Sequence, residues 1–181
     1  EQGESDNWET TRHLKKDFSE LSLNSNIITS ITNDNVGQIW IGSRGGGVNI
    51  INSVSKQFQH YKHTLNRGSI ASDLAMCMFE DSYQNLWIGT EESGVSILQS
   101  GGDYASGFKH IVVNNFPNEN RVYAVEETQT PGSKSHKSII WTGTSHPTYL
   151  TAYNPVTLEE IKLSAQTKNI GHVFALENQD D

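Results

Sequence analysis

The chain is short of cysteine, proline, positive charge and long apolar runs. Cys77 is the only cysteine among 181 residues, and only four prolines occur. One cysteine excludes an internal disulfide, but it leaves the redox compartment open. No run of ~18 apolar residues is present, so no helix is expected to cross a membrane and no direct membrane contact is expected. No basic-then-apolar leader opens the sequence. Lys and Arg number 13 against 21 Asp and Glu, for a formal charge of −8. That balance opposes binding nucleic acid through its phosphates, which needs cations clustered on one face. The one basic cluster, Arg12, His13, Lys15 and Lys16, reads as solvated surface.

What the chain does have is many turn residues and evenly spaced β-formers. The apolar fraction is 34%, poor for a helical bundle and suited to short strands joined by turns. Ile, Val, Leu and aromatics recur regularly, which separates the chain from a disordered one.

The recurrence is a true repeat. A shift of 47 positions lays Ser25 on Ser72, Ile31 on Met78 and Asp34 on Asp81. It also lays Ile39-Trp40-Ile41-Gly42-Ser43 on Leu86-Trp87-Ile88-Gly89-Thr90, and Gly47-Val48-Asn49-Ile50 on Gly94-Val95-Ser96-Ile97. A looser third copy carries Val122-Tyr123-Ala124-Val125 and then Ile140-Trp141-Thr142-Gly143-Thr144, with an enlarged loop over 128–138. Val173-Phe174-Ala175-Leu176 restarts the pattern, and the chain stops before that copy's Trp.

Each unit holds four short β-branched or aromatic runs separated by Gly, Asn, Asp and Ser. In the second unit these lie near 74–79, 85–90, 94–99 and 108–113. Short connections permit only antiparallel neighbours. A four-stranded meander repeated every ~40–50 residues predicts an all-β fold, a piece of a β-propeller. The expected organisation is an N-terminal segment at 1–20, then blades at 21–68, 69–116 and 117–168. The first strand of a truncated fourth blade follows at 169–181. Residues 1–20 fit either the outer strand of a preceding blade or a disordered lead-in. Trp40, Trp87 and Trp141, with Gly42, Gly89 and Gly143 two positions on, are expected between blades, glycine admitting close approach. A sugar-stacking role is the alternative for the tryptophans.

Asp81-Ser82-Tyr83-Gln84-Asn85-Leu86-Trp87-Ile88-Gly89-Thr90 with Gly94-Val95 resembles the two-component regulator propeller repeat. Ser25-Asn26-Ile27-Ile28-Thr29-Ser30-Ile31, leading to Trp40-Ile41-Gly42-Ser43 and Gly46-Gly47-Val48-Asn49, resembles it too. The resemblance implies the periplasmic sensor region of hybrid two-component systems of the Bacteroidetes type. There, propellers precede an immunoglobulin-like domain, a membrane helix and a histidine kinase, and oligosaccharides are typical inputs. The chain departs from the family pattern at three places. Val36 stands where an acidic residue usually precedes the turn Gly37, Gln84 replaces that Gly, and Ser145-His146-Pro147 replaces the third unit's glycine pair.

Enzyme readings fit less well. Sialidase-type propellers place Asp five residues before Trp, whereas Asp34 to Trp40 and Asp81 to Trp87 are six apart. Adjacent carboxylates such as Glu91-Glu92, Glu126-Glu127 and Glu159-Glu160 face opposite ways on a strand, unlike the paired acids of glycosidases. His60 and His63 are spaced wrongly for a shared metal, so neither metal nor cofactor is expected. Gly45-Gly46-Gly47 lacks a following helix and reads as a turn, not a phosphate loop.

In the usual strand order, the turns after each Trp-Gly strand and the inter-blade connections share one face. Arg44, Glu91, Glu92, Ser145 and His146 fall there, with His63, Asn66 and Arg67 close by. Loops on a rigid scaffold favour binding, so this face is the candidate recognition surface. A glycan-sensing fragment is the leading expectation; a protein-docking scaffold and a propeller hydrolase are the alternatives. Three blades cannot close a ring, so the open faces are expected to meet the parent's remaining blades or a second copy.

Overall fold

The computed structural model describes residues 22–52, 57–100, 107–113, 120–129, 138–144 and 150–162. The described residues form eleven strands and no helix. The first sheet holds β1 (Ile28–Asn33), β2 (Ile39–Ser43), β3 (Gly47–Ile51) and β4 (Phe58–Tyr61) in sequence order. The second repeats it with β5 (Ala75–Glu80), β6 (Leu86–Thr90), β7 (Val95–Leu98) and β8 (Lys109–Ile111). The third holds β9 (Val122–Gln129), β10 (Ser138–Thr144) and β11 (Leu150–Tyr153). All neighbours are antiparallel, as connections of these lengths require. The architecture is that of a β-propeller fragment.

Among the described residues the third sheet has three strands, and the segment expected to supply most of its fourth lies outside them. At its outer edge, an antiparallel bridge joins Tyr153 to Glu160 where the fourth strand is expected. A tight turn leads to it, in which Asn154 Oδ1 accepts the Val156 and Thr157 N–H groups. The enlarged hairpin is partly absorbed into longer strands, since β9 has 8 residues and β10 has 7. The segments 1–20 and 169–181, the hairpin tip 130–137, and Ser145 and His146 lie outside the described residues.

Alternation along each strand gives a blade two apolar faces, and facing surfaces of successive blades are buried against each other. Trp40, Val48 and Ile50 of blade 1 pack on Ala75, Leu86, Ile88 and Leu98 of blade 2. Trp87, Val95 and Ile97 of blade 2 pack on Val122, Val125, Ile140 and Tyr153 of blade 3. The first strands β1, β5 and β9 lie side by side in turn. Trp40 and Trp87 are buried as expected, but Trp141 is only half-buried. Its face of blade 3 has no sheet against it among the described residues.

The glycines two positions after Trp40 and Trp87 leave no room for a side chain. A Cβ on Gly89 would lie 2.5 Å from Cys77 Sγ and 3.0 Å from the Val122 carbonyl oxygen. One on Gly42 would lie 2.5 Å from Ser30 Oγ. The same register shift recurs at the start of β1, β5 and β9, so the bulge belongs to the repeat.

Candidate functional site

Strand order fixes which loops share an end of the blades. β1 runs to the turn 34–38, β2 returns to the turn 44–46, β3 runs back, and β4 returns to the connection 62–74. The β2–β3 turns and the inter-blade connections therefore lie at one end, and the β1–β2 turns lie at the other.

At the first end, Arg44 Nη2 and Glu91 Oε1 form an ion pair of 2.8 Å across the blade 1–blade 2 seam. Both residues occupy the same repeat position, 47 apart. Arg44 is 53% exposed and Glu91 14%. Glu92 is exposed on the same turn. Arg67 is exposed in the connection, and its carbonyl accepts His110 Nε2–H at 3.1 Å. His63 is held by its own loop, donating Nδ1–H to the Ile70 carbonyl at 2.9 Å and its backbone N–H to Asp73 Oδ1. The structure thus joins Arg44 to Glu91 and leaves Glu92 and Arg67 separately placed on that end.

Beneath the exposed residues is a repeated backbone clasp. The N–H groups of Gly45 and Gly47 donate to the Asp73 carbonyl at 2.9 Å, and Gly94 N–H donates to the equivalent Asn120 carbonyl at 2.8 Å. The β2–β3 turn of each blade is thereby tied to the strand approach of the next.

The opposite end carries residues whose roles sequence reasoning missed. Asp81 Oδ2 accepts Trp87 Nε1–H at 2.7 Å, while Oδ1 accepts the Tyr83 and Asn85 N–H groups. Asp34 does the same for Trp40 Nε1–H at 2.9 Å and the N–H groups of Val36 and Gln38. In blade 3, Thr128 takes the Asp position and accepts Trp141 Nε1–H. The six-residue Asp-to-Trp interval that argued against a sialidase-type turn is the signal for this lock. A second recurrent group crosses the seam. Glu80 Oε2 accepts Asn35 N–H at 2.8 Å, and Glu127 accepts both N–H and Oγ–H of Ser82 at 2.7 and 2.6 Å. Both pairs have an interval of 45 residues.

Burial pushes the Glu80 carboxyl above the ordinary carboxylate range, with Asn35 N–H opposing and Asp34 and Asp81 reinforcing. The Cys77 sulfur lies inside the seam against the Val122 carbonyl, although part of the residue remains accessible. Burial pushes its thiol up to about 12, the opposite of an activated nucleophile.

Stacked antiparallel blades sharing two-sided apolar seams define the molecule as a β-propeller type. Residues 22–45 and 69–92 match the two component regulator propeller family. The matched segments start and end at equivalent positions of blades 1 and 2. Among solved structures, the chain is similar to the extracellular domain of BT4673 from B. thetaiotaomicron, described as a one component system. The identity is 24% and the TM-score 0.59, covering 80% of this chain and 19% of that one. It is similar also to the extracellular domain of BT3049 from B. thetaiotaomicron, described as a hybrid two component system. There the identity is 18% and the TM-score 0.57, covering 78% of this chain and 19% of that one. Virginiamycin B lyase from Staphylococcus aureus matches at 16% identity and TM-score 0.51, covering 75% of this chain and 41% of that one. At such identities the likeness concerns the fold alone. The chain spans about a fifth of the length of the extracellular domains it matches. No protein of curated function matches it.

Proposed function

We propose that this chain is part of the extracytoplasmic, periplasmic sensor region of a two-component signalling protein whose input is a glycan-derived oligosaccharide. The observation that carries the reading is the pair of two component regulator propeller repeats, each contributing its Trp-Gly strand to one seam. In this reading the chain recognises and does not catalyse, and histidine kinase activity belongs to another part of the parent. The face bearing Arg44, Glu91, Glu92, Arg67 and His146 is the candidate ligand surface. Titration calorimetry of the intact extracytoplasmic region against a broad oligosaccharide panel tests it. Heat from one related group of glycans supports the reading, and silence across the panel overturns it.

A second reading, docking on further blades or on a second copy, is favoured by the open face of blade 1. Ile27, Ile31 and Ile39 are exposed there at 60%, 67% and 37%, beside the apolar group Leu23, Ile41 and Ile51. Burying such a face is favourable at roughly 25 cal/mol per Å². Light scattering over a concentration series tests this chain for self-association, and a monomer at every concentration counts against the second-copy form.

A further inference from the structure

His60, His63 and His110 lie among the described residues, and their hydrogen-bond sets differ. His60 on β4 and His110 on β8 stand at matching positions of blades 1 and 2, opposite Asn49 and Ser96. Asn49 Oδ1 accepts the Asn24 N–H at 2.9 Å, and Ser96 Oγ accepts the Ala71 N–H at 2.9 Å. Each of these inner side chains thus joins an outer-strand histidine to the segment that enters its blade.

The partners fix where the ring protons sit. The Arg67 carbonyl, 3.1 Å from His110 Nε2, can only accept, so Nε2 carries the hydrogen. A neutral ring then leaves Nδ1 as an acceptor, and Ser96 Oγ–H donates to it at 3.2 Å. Blade 1 has the reverse order. Asn49 Oδ1 can only accept, so His60 donates Nδ1–H to it at 3.0 Å. His63 likewise donates Nδ1–H to the Ile70 carbonyl.

A second ring proton therefore acts differently at these sites. His60 and His63 keep those bonds, because the proton arrives on the other nitrogen. On His110 it arrives at Nδ1, against the hydroxyl hydrogen already pointing there. Ser96 is fully buried, so its hydrogen turned away from Nδ1 becomes a costly orphan. His110 is exposed and can swing into solvent instead, which releases the Arg67 carbonyl. Its two nitrogens meet Ser96 and a backbone carbonyl, not a carboxylate that would hold the cation in place. The neighbouring elements bring these titratable or charged groups: Lys109 on β8, and Lys62, His63, Arg67 and Asp73 on the connection. β4, which reaches β8 through Tyr61 on Phe108, adds His60, and β7 adds none.

We propose that His110 is an acid-released latch on the connection 62–74, closed with a neutral ring and open with a doubly protonated one. Histidine is the side chain that changes charge between pH 8 and 5. The connection carries Arg67 on the candidate recognition end, so acidity resets the surface presented there. The latch itself does not depend on what that surface binds.

Nitrogen NMR of the whole chain at pH 8 should find His110 protonated on Nε2 and His60 on Nδ1. Hydrogen exchange at pH 8 and 5, corrected for its intrinsic pH dependence, then reads the Ala71 and Phe108 N–H groups. These amides cross between the connection and blade 2, the second by donating to the Gly68 carbonyl. Their protection should fall about tenfold on acidification, the worth of one hydrogen bond. His110→Gln, which cannot titrate, should abolish the fall, and His60→Gln should leave it in place. His110 protonated on Nδ1 at pH 8 overturns the proposal, as does protection that ignores pH. A fall that persists in His110→Gln, or disappears in His60→Gln, overturns it too.

Discussion

Asp81 holds Trp87 from below: its Oδ2 accepts the indole N–H at 2.7 Å while Oδ1 closes the turn that leads into the same strand. One carboxylate thus links hairpin geometry to the orientation of the largest side chain in the seam. Asp81 is 4% exposed, so removing it strands several donors away from water. Asp81→Ala should destabilise by about 2–4 kcal/mol in urea unfolding, and Asp34→Ala, at a half-buried site, by about 1–2 kcal/mol. Equal, negligible losses at both sites would contradict this lock.

Gly89→Ala tests how closely the seam is packed. The added methyl meets the Cys77 sulfur, which can move, and the Val122 backbone, which is held in β9. We expect a loss of about 1–3 kcal/mol in chemical denaturation. Adding Cys77→Ala to that variant should recover part of the loss and not all, since the backbone contact remains.

Gln84 adopts φ +64°, where the equivalent Gly37 has φ +79°. A side chain in that region is strained, and the strain outweighs the extra backbone entropy of glycine. Gln84→Gly should therefore stabilise the chain by about 0.5–1 kcal/mol. Gly37→Gln should do the reverse. Thermal midpoints of the two variants would move in opposite directions.

The Cys77 thiol, pushed from 9.0 to about 12, should hardly react in the folded protein. At pH 8 its modification by an aromatic disulfide reagent should run about a thousandfold slower than in urea, in proportion to the thiolate fraction. Rapid native modification would place the sulfur outside the seam.

Glu80 carries a pH signature. Its folded-state pKa lies above the ordinary 4.5, chiefly through burial. The folded chain therefore keeps this proton to higher pH than the unfolded chain does. The resulting stability is full below 4.5 and is lost as pH rises through the folded-state pKa. Glu80→Gln should gain in urea midpoint relative to the parent as pH rises from 4 to 7. A pH-independent difference between the two would contradict the assignment.

The seams were legible in the sequence because each depends on residue type at a fixed interval. The shift of 47 that aligned Trp40 with Trp87 and Gly42 with Gly89 is the shift that superposes the seam contacts. Asp34 and Asp81 were visible as a matched pair, but their work was not. An Asp before a turn serves many purposes, and only geometry shows its second oxygen reaching the indole. Glu80 and Glu127 were harder still, since each acts on the neighbouring blade and an adjacent pair of acids looks like edge charge. Arg44 and Glu91 were placed on one end by strand order, while their mutual pairing depends on how closely successive blades approach. Trp141 lost its expected burial because a seam needs two sheets.

The clasps and seams also give the stack a direction. In both seams a Trp-bearing surface meets a different surface of the next blade, never its own kind. Such a joint is heterologous, so two separate copies meeting through it would line up head to tail and not about a twofold axis. Growth by this contact continues as an open filament unless the turn between successive units brings the first and last together.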